Sequence, residues 1–348
     1  MREIGRCRRA ALLVTVGFGV LALGALVSRG AHAADRQDAA GSRRVPPTSL
    51  GAAGGEVHAL HVQGNIYMLV GAGGNITVQT GSDGVLLVDA GLASMSDKVL
   101  AAVKQLSDRP IRYIINTHIH PDHTGGNATI AKAGITIAGG NVVGDIGASA
   151  GNQAAIIAFQ SVLDRMSTPV AGTAAIPQDD WPTETYTTPQ RKFFFNDEGI
   201  VLTHIPAAHT DGDTIVFFRR SDVVSTGDIF VMNGYPIVDL ARGGNIEGII
   251  AGLNRIMQIA IPADEQEGGT MIIPGHGRLC DVADLVFYQE MVTIIRDRVK
   301  SLIDKGMSVE QVQAARPTRD YDPRFGSDRG FWTTSKFVAA VYESLKKH

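Results

Sequence analysis

IRYIINTHIHPDHTGG, residues 111–126, is the stretch on which the reading of this chain depends. Its first half is a β-branched apolar run with strand propensity, and its second half places three histidines and an aspartate within six residues. His118 and His120 are two apart, so in extended backbone both imidazoles fall on one side. Pro121 then turns the chain, and Asp122 and His123 are presented toward a neighbouring position. Chemistry carried on a loop at the end of a sheet strand is held precisely enough to bind a metal.

Working outward, residues 57–91 (VHALHVQGNIYMLVGAGGNITVQTGSDGVLLVDAG) alternate short β-rich runs with Gly-Gly and Asp-Gly turns, as in a meander of antiparallel strands that ends at Asp89. MSDKVLAAVKQL, residues 95–106, has helical spacing, with Ser94 or Ser96 available as its cap. Residues 128–140 read as a further helix-strand step, and a helix is expected over Asn152–Met166, followed by a Pro/Thr-rich extended stretch. The excursion 142–190 is long for an ordinary connection, and is read as an insertion that covers a sheet face or walls the active site. A second half begins near residue 191, with strand runs, a helix from Asn245, the strand TMIIPGHG (270–277) and a long amphipathic helix from Ala283. Strands, helix, strand and loop recur twice, which predicts an α/β chain with two sheets packed face to face and helices outside, a four-layer αββα sandwich.

The remaining chemistry-bearing residues recur in the same setting. Of ten histidines, five follow β-rich runs beside Asp or Gly: His118, His120, His123, His209 in PAAHTDGD and His276 in PGHG. Four donors in HIHPDH, with His209 and His276 added, exceed what one tetrahedral zinc ion takes. Two ions are therefore expected. Asp228, closing STGD, supplies a carboxylate to bridge them, with His209 as a further histidine for the first ion and His276 for the second. Asp89 is read either as a turn-capping residue or as an acceptor that orients a ligand histidine. His58 and His61 alternate in a strand without carboxylate company and are read as structural or surface residues.

This pattern resembles the metallo-β-lactamase superfamily, in Asp89, HIHPDH, PAAHTDGD, TGD and PGHG, over about residues 56–277. The resemblance implies His118, His120 and His209 on one ion, Asp122, His123 and His276 on the other, and Asp228 between them. The aspartate at 228 is similar to the glyoxalase II, lactonase and alkylsulfatase-like branches, whereas the familiar antibiotic-hydrolysing branches carry cysteine there or lack the bridge. The surroundings HTDGDTIVFF and PGHGR also resemble exported SoxH-like and quinoprotein-relay hydrolases. Two Zn(2+) per chain are expected, with iron and manganese as alternatives that such donors also accept.

The flanks bear on where and on what it acts. Arg2, Arg6, Arg8 and Arg9, the apolar run Ala10–Val27 and AHA at 31–33 read as an export signal over residues 1–33, with a retained N-terminal membrane anchor as the alternative. Residues 34–55 form a polar tether and 56–348 the catalytic domain, ending in a helical extension. A periplasmic or secreted location follows. Loss of residues 1–33 removes five arginines and one glutamate, moving the formal charge from −3 to −7. So acidic a chain is poorly matched to a phosphate backbone, and no nucleic-acid partner is expected. Cys280 would be the one thiol left, and it is read as a packing residue. No segment indicates a protein partner.

The function expected is hydrolysis of a small-molecule acyl bond (ester, lactone, thioester or amide) by a hydroxide that two zinc ions generate at neutral pH. Asp122 is the expected catalytic residue, fixing the second ion and carrying a proton to the leaving group. Alternatives are iron-dependent redox or sulfur-transfer chemistry, a weak or vestigial β-lactamase, and a non-catalytic exported metal-binding protein. Ile156, Phe159, Trp181, Tyr186, Phe325, Phe331 and Trp332 are considered as an apolar substrate wall, although each is more readily a core residue. Arg278 is considered as a contact to an acidic substrate group or as a surface ion pair.

Overall fold

Strand alternation sorts the apolar side chains into separate cores. In β4 (Gly84–Val88), Val85 and Leu87 face one cluster while Leu86 and Val88 face another, as the two-residue period of a strand requires. A computed structural model describes residues 55–136, 153–168 and 175–346. The proposed export segment, all but the last residue of the tether, and His348 lie outside the described residues. Among the described residues, no helix is long and apolar enough to cross a membrane.

Among the described residues, the first sheet has seven strands in sequential order: β1 (His58–Gln63), β2 (Ile66–Val70), β3 (Ile76–Gly81), β4, β5 (Ile111–Ile115), β6 (Ala155–Phe159) and β7 (Glu184–Tyr186). Pairings are antiparallel through β4 and parallel from β4 to β7. The second sheet orders β12 (Met271–Ile273), β11 (Val223–Ser225), β10 (Thr214–Phe218), β9 (Glu198–His204) and β8 (Gln190–Phe195), with only β11 and β12 parallel.

Three apolar layers separate four structural ones. Leu69, Val78, Leu87 and Ile114 pack on Val99 and Val103 of α1 (Ser96–Leu106) and Ile130 of α3 (Asn127–Lys132), which follows the short α2 (Pro121–Thr124). Met68, Leu86, Ile115 and Ile157 meet Ile200, Leu202, Val216 and Phe218 between the sheets. Ile215, Val224 and Ile272 pack on α5 (Ile246–Met257), α6 (Val282–Asp304) and α7 (Thr334–Lys346). The αββα sandwich expected from the sequence is the observed architecture.

Two local expectations are corrected. Neither Ser94 nor Ser96 caps α1: Met95 occupies the cap position without a side-chain bond, and Ser96 Oγ donates to Ala93 O at 2.9 Å. The helix expected over Asn152–Met166 is instead strand β6 followed by α4 (Gln160–Ser167). AIIAF lies between parallel neighbours with nearly every side chain buried, and such a run carries no alternation by which to tell strand from helix. The described parts of 142–190 thus contribute β6 and β7 to the first sheet and α4 beside it. Residues 137–152 and 169–174 lie outside the described set.

Candidate metal centre

The functional side chains leave the C-terminal ends of parallel strands and the turns beside them. Asp89 follows β4; His118 and His120 follow β5, and α2 carries Asp122 and His123. Asp228 follows β11, His276 follows β12, and His209 sits on the turn between β9 and β10. These turns converge on two groups, His118, His120, His209 and Asp228, and Asp122, His123 and His276, in each of which the potential ligand atoms lie within 4.8 Å of one another.

Asp228 stands between them with one oxygen toward each. Its Oδ2 is 3.6 Å from His209 Nε2 and 4.0 Å from His118 Nε2, while its Oδ1 is 3.3 Å from His123 Nε2 and 3.5 Å from His276 Nε2. His276 Nε2 is also 3.1 Å from Asp122 Oδ2. His120 Nδ1 and His209 Nε2 approach to 2.8 Å, so both nitrogens face a common point.

The outer nitrogens of four of the histidines are committed to protein oxygens. His118 Nδ1 donates to Thr117 Oγ1 at 3.0 Å, and that hydroxyl donates in turn to Asp89 Oδ2 at 2.8 Å. His123 Nδ1 donates to the same Asp89 oxygen at 2.8 Å, His209 Nδ1 to Ile237 O at 2.7 Å, and His120 Nε2 to Asp239 Oδ2 at 2.9 Å. An imidazole whose outer nitrogen carries the proton presents its other lone pair inward, the tautomer that a metal requires. His118 Nε2 and Asp228 Oδ1 are buried with no hydrogen-bond partner, which is costly for polar atoms unless a further group meets them. The donor set fits two cations.

Charge balance agrees. Burial alone would raise the Asp228 carboxyl, but His276 and His123 outweigh it and hold it well below the usual carboxylate range. Burial likewise raises Asp122, and His123 with a hydrogen bond from His276 brings it down to about 2. His209 is lowered to about 4 by burial, which keeps it neutral. Burial lowers His276, but Asp228 and Asp122 outweigh it and raise it to about 9.

All seven residues expected as ligands are therefore brought together. Asp89 takes the orienting place: its Oδ1 accepts from Thr117 N and its Oδ2 from Thr117 Oγ1 and His123. His58 is exposed, with a carboxylate neighbour the sequence reading did not expect, Glu56 Oε2 at 3.8 Å, and His61 meets Gly64 O at 2.9 Å and the Tyr67 ring edge-on; neither joins the ligand groups. Arg278 is spent on Asp284, and Cys280 is buried with its thiol pushed up to about 12 by desolvation. The aromatic wall is corrected in part: Ile156, Tyr186 and Phe325 are core residues, and Trp181 donates to Ile176 O and packs near Ile119 and Val162.

Sequence reasoning missed Asp239 and Ile237, the two acceptors on one segment. Asp239 N also donates to His209 O at 3.0 Å, and Gly244 N to Asp239 O at 2.8 Å, so this segment grips His209 from both sides. The available signal was an aspartate opening a turn that ends in Gly243 and Gly244. It also missed Asn75, whose amide donates to Pro274 O and Gly277 O and so holds the turn bearing His276. The chain further contains GASAG at 147–151, the letter pattern of a serine-hydrolase elbow, which lies outside the described residues.

Comparison with known proteins adds a name to this geometry. A linear primary-alkylsulfatase of Pseudomonas sp. (strain ATCC 19151) is 47% identical over 45 residues, 13% of this chain and 8% of that protein. Among solved structures, the stereoselective inverting sec-alkylsulfatase Pisa1 from Pseudomonas sp. matches with a TM-score of 0.59 at 15% identity, over 82% of this chain and 50% of that one. A metallo-beta-lactamase from Pontibacter korlensis matches with a TM-score of 0.51 at 12% identity, over 68% and 99% respectively. The chain thus spans about half the length of the solved alkylsulfatase and a small part of the curated one, and likeness at these identities speaks to fold. The family model described as the metallo-beta-lactamase superfamily matches residues 69–276, more than half of the chain, and the chain belongs to that superfamily.

Proposed function

We propose that the protein is a two-metal hydrolase of small-molecule acyl bonds, related to the glyoxalase II, lactonase and SoxH-like branches, with zinc as its metal. The observation that carries this reading is Asp228, which offers one oxygen to each ligand group while its Oδ1 and His118 Nε2 are buried without partners. His118, His120, His209 and Asp228 would hold one ion, and Asp122, His123, His276 and Asp228 the other. Bound there, the ions supply Lewis acidity and lower the pKa of water enough for nucleophilic attack at neutral pH.

The chain's own part is orientation and proton handling. Asp89, Asp239 and Ile237 O hold the imidazoles in the ligating tautomer. Asp122 is ionised at neutral pH and has the most exposed side chain of the seven, which supports a role for its Oδ2 in orienting the attacking water. Its proposed second role is to pass a proton to the leaving oxygen or sulfur.

The test is a substrate panel (esters, lactones, thioesters, β-lactams and alkyl sulfates) on protein carrying a measured two zinc ions per chain. Chelator-sensitive acyl hydrolysis supports the proposal, and two bound zinc ions with no turnover across the panel refute it. Coloured, oxygen-reactive iron in the isolated protein would favour redox chemistry instead. A second reading, sulfate-ester hydrolysis, is favoured by the alkylsulfatases among the matches, and the alkyl sulfates in the panel decide it. In this reading residues 1–33 direct export, which a reporter fused after residue 33 and recovered only inside the cell would contradict.

A further inference from the structure

The geometry points to Arg242 as the recognition site for an anionic group on the substrate, so that the preferred acyl compound carries a carboxylate or similar anion beyond the bond that is cleaved. This rests on the two-metal hydrolase reading and adds the class of substrate to it. Exposure locates the mouth of the site. His118, His123 and His209 side chains are closed to solvent, whereas His120 is 16% and Asp122 22% exposed. A substrate therefore arrives over His120 and Asp122.

Arg242 flanks that opening. Its Nη1 donates to Asp239 Oδ2 at 2.7 Å, and the same oxygen accepts from His120 Nε2 at 2.9 Å. Two bonds to one atom put Nη1 within 5.6 Å of the His120 ring. The Arg242 side chain is 41% exposed, against 12% for Asp239, so exposure rises outward from the centre along this line.

Two further guanidiniums, Arg165 bound to Asp211 two residues beyond His209 and Arg278 two residues beyond His276, are already engaged at two prongs. Arg165 places Nε and Nη2 on Asp211, and Arg278 places Nη1 and Nη2 on Asp284. Arg242 gives one prong to Asp239, which leaves the outer edge of a planar fork suited to bidentate capture of a carboxylate. Its backbone is fixed, because Arg242 N donates to Asp239 O, Arg242 O accepts from Asp211 N, and Gly243 closes the turn at φ +82°. Asp239 shares its Oδ2 between Arg242 and His120. With a metal held by His120 Nδ1, the imidazole would be a stronger donor to that oxygen and would compete with Arg242 for it.

The test uses glutarate and valerate, which share a five-carbon chain and differ by one carboxylate. Their affinities for zinc-loaded wild-type, Arg242→Gln and Arg242→Lys protein are measured by calorimetry, with zinc content determined on each sample. Glutarate is expected to bind wild type about tenfold more tightly than valerate, the worth of one charge-assisted pair. In R242Q the ratio should fall to about one or two, with part of it restored in R242K. Because the ratio is taken within one protein, partial loss of zinc cancels. An equal ratio in wild type and R242Q, no preference in wild type, or no glutarate binding to fully loaded protein each overturns the proposal. Turnover of neutral esters judges the hydrolase reading separately.

Discussion

Replacing Asp89 separates an orienting role from a merely structural one. Asp89 is buried at φ +69°, and its carboxylate accepts three hydrogen bonds: from Thr117 N at 2.8 Å, Thr117 Oγ1 at 2.8 Å and His123 Nδ1 at 2.8 Å. Asp89→Asn keeps the shape and tolerates left-handed backbone, but its amide group turns a donor toward one of those donors. One buried donor is left unmet, at a cost of about 1–3 kcal/mol in the denaturation of the metal-free protein. Asp89→Ala strands all three and adds about 1 kcal/mol of backbone strain. Loss of an outer partner of a metal-bound histidine weakens affinity by about 10–100-fold, so the second zinc step in a competitive chelator titration should weaken by that factor in D89A, which takes the acceptor from His123 Nδ1. D89N should weaken it less, because an amide with its NH2 toward Thr117 N keeps its carbonyl toward His123. The first step should also move in D89A, by less, because Thr117 Oγ1 links Asp89 to His118. If D89A loses stability while both zinc steps stay within about twofold of wild type, Asp89 only closes the strand and the orienting argument is wrong.

Asp228→Ala should lower second-ion occupancy and hydrolysis together while the circular dichroism of the sheets persists, whereas His58→Ala and His61→Ala should leave zinc content unchanged; unaltered zinc and activity in D228A would remove the bridge. His276 is raised from 6.5 to about 9 by Asp228 and Asp122 against the opposing effect of burial, so the stability its protonation gives the metal-free protein is full below about pH 6.5 and lost as pH rises through about 9. Zinc needs that nitrogen neutral, and the second zinc step should therefore strengthen across the same window; a flat profile contradicts the assignment. Cys280, buried with its thiol pushed up to about 12, should resist alkylation at pH 8 until the protein unfolds, and rapid labelling of folded protein would show it reachable.

The layers and the seven clustered residues were legible because each rests on a short-range signal. β4 alternates between two cores, α5 and α6 repeat at helical spacing, and each ligand follows a β-rich run beside Gly or Asp. What was illegible depended on neighbours distant in sequence. AIIAF becomes β6 because β5 and β7 flank it, and nothing within those five residues says so. Asp239 resembled a solvent-facing turn residue, and its meaning comes from His120, 119 residues away. Asn75 likewise acts on a turn about 200 residues downstream. The φ of Asp89 and the committed outer nitrogens of the histidines are properties of the folded backbone, which residue type alone does not carry.

The parallel pairing of β11 with β12 acts as a ruler. Ser225 lies opposite Ile273, and Asp228 and His276 each stand three residues beyond that pair. Adjacent strands of the same sense thus deliver a carboxylate and an imidazole at the same height above the sheet edge. Slipping one strand by a single residue would invert the facing of its side chains and carry its ligand away from the other. Length changes between β12 and His276, or between β11 and Asp228, should therefore be tolerated far less than changes in the outer connections, leaving the surrounding loops free to diversify around an invariant pair of offsets.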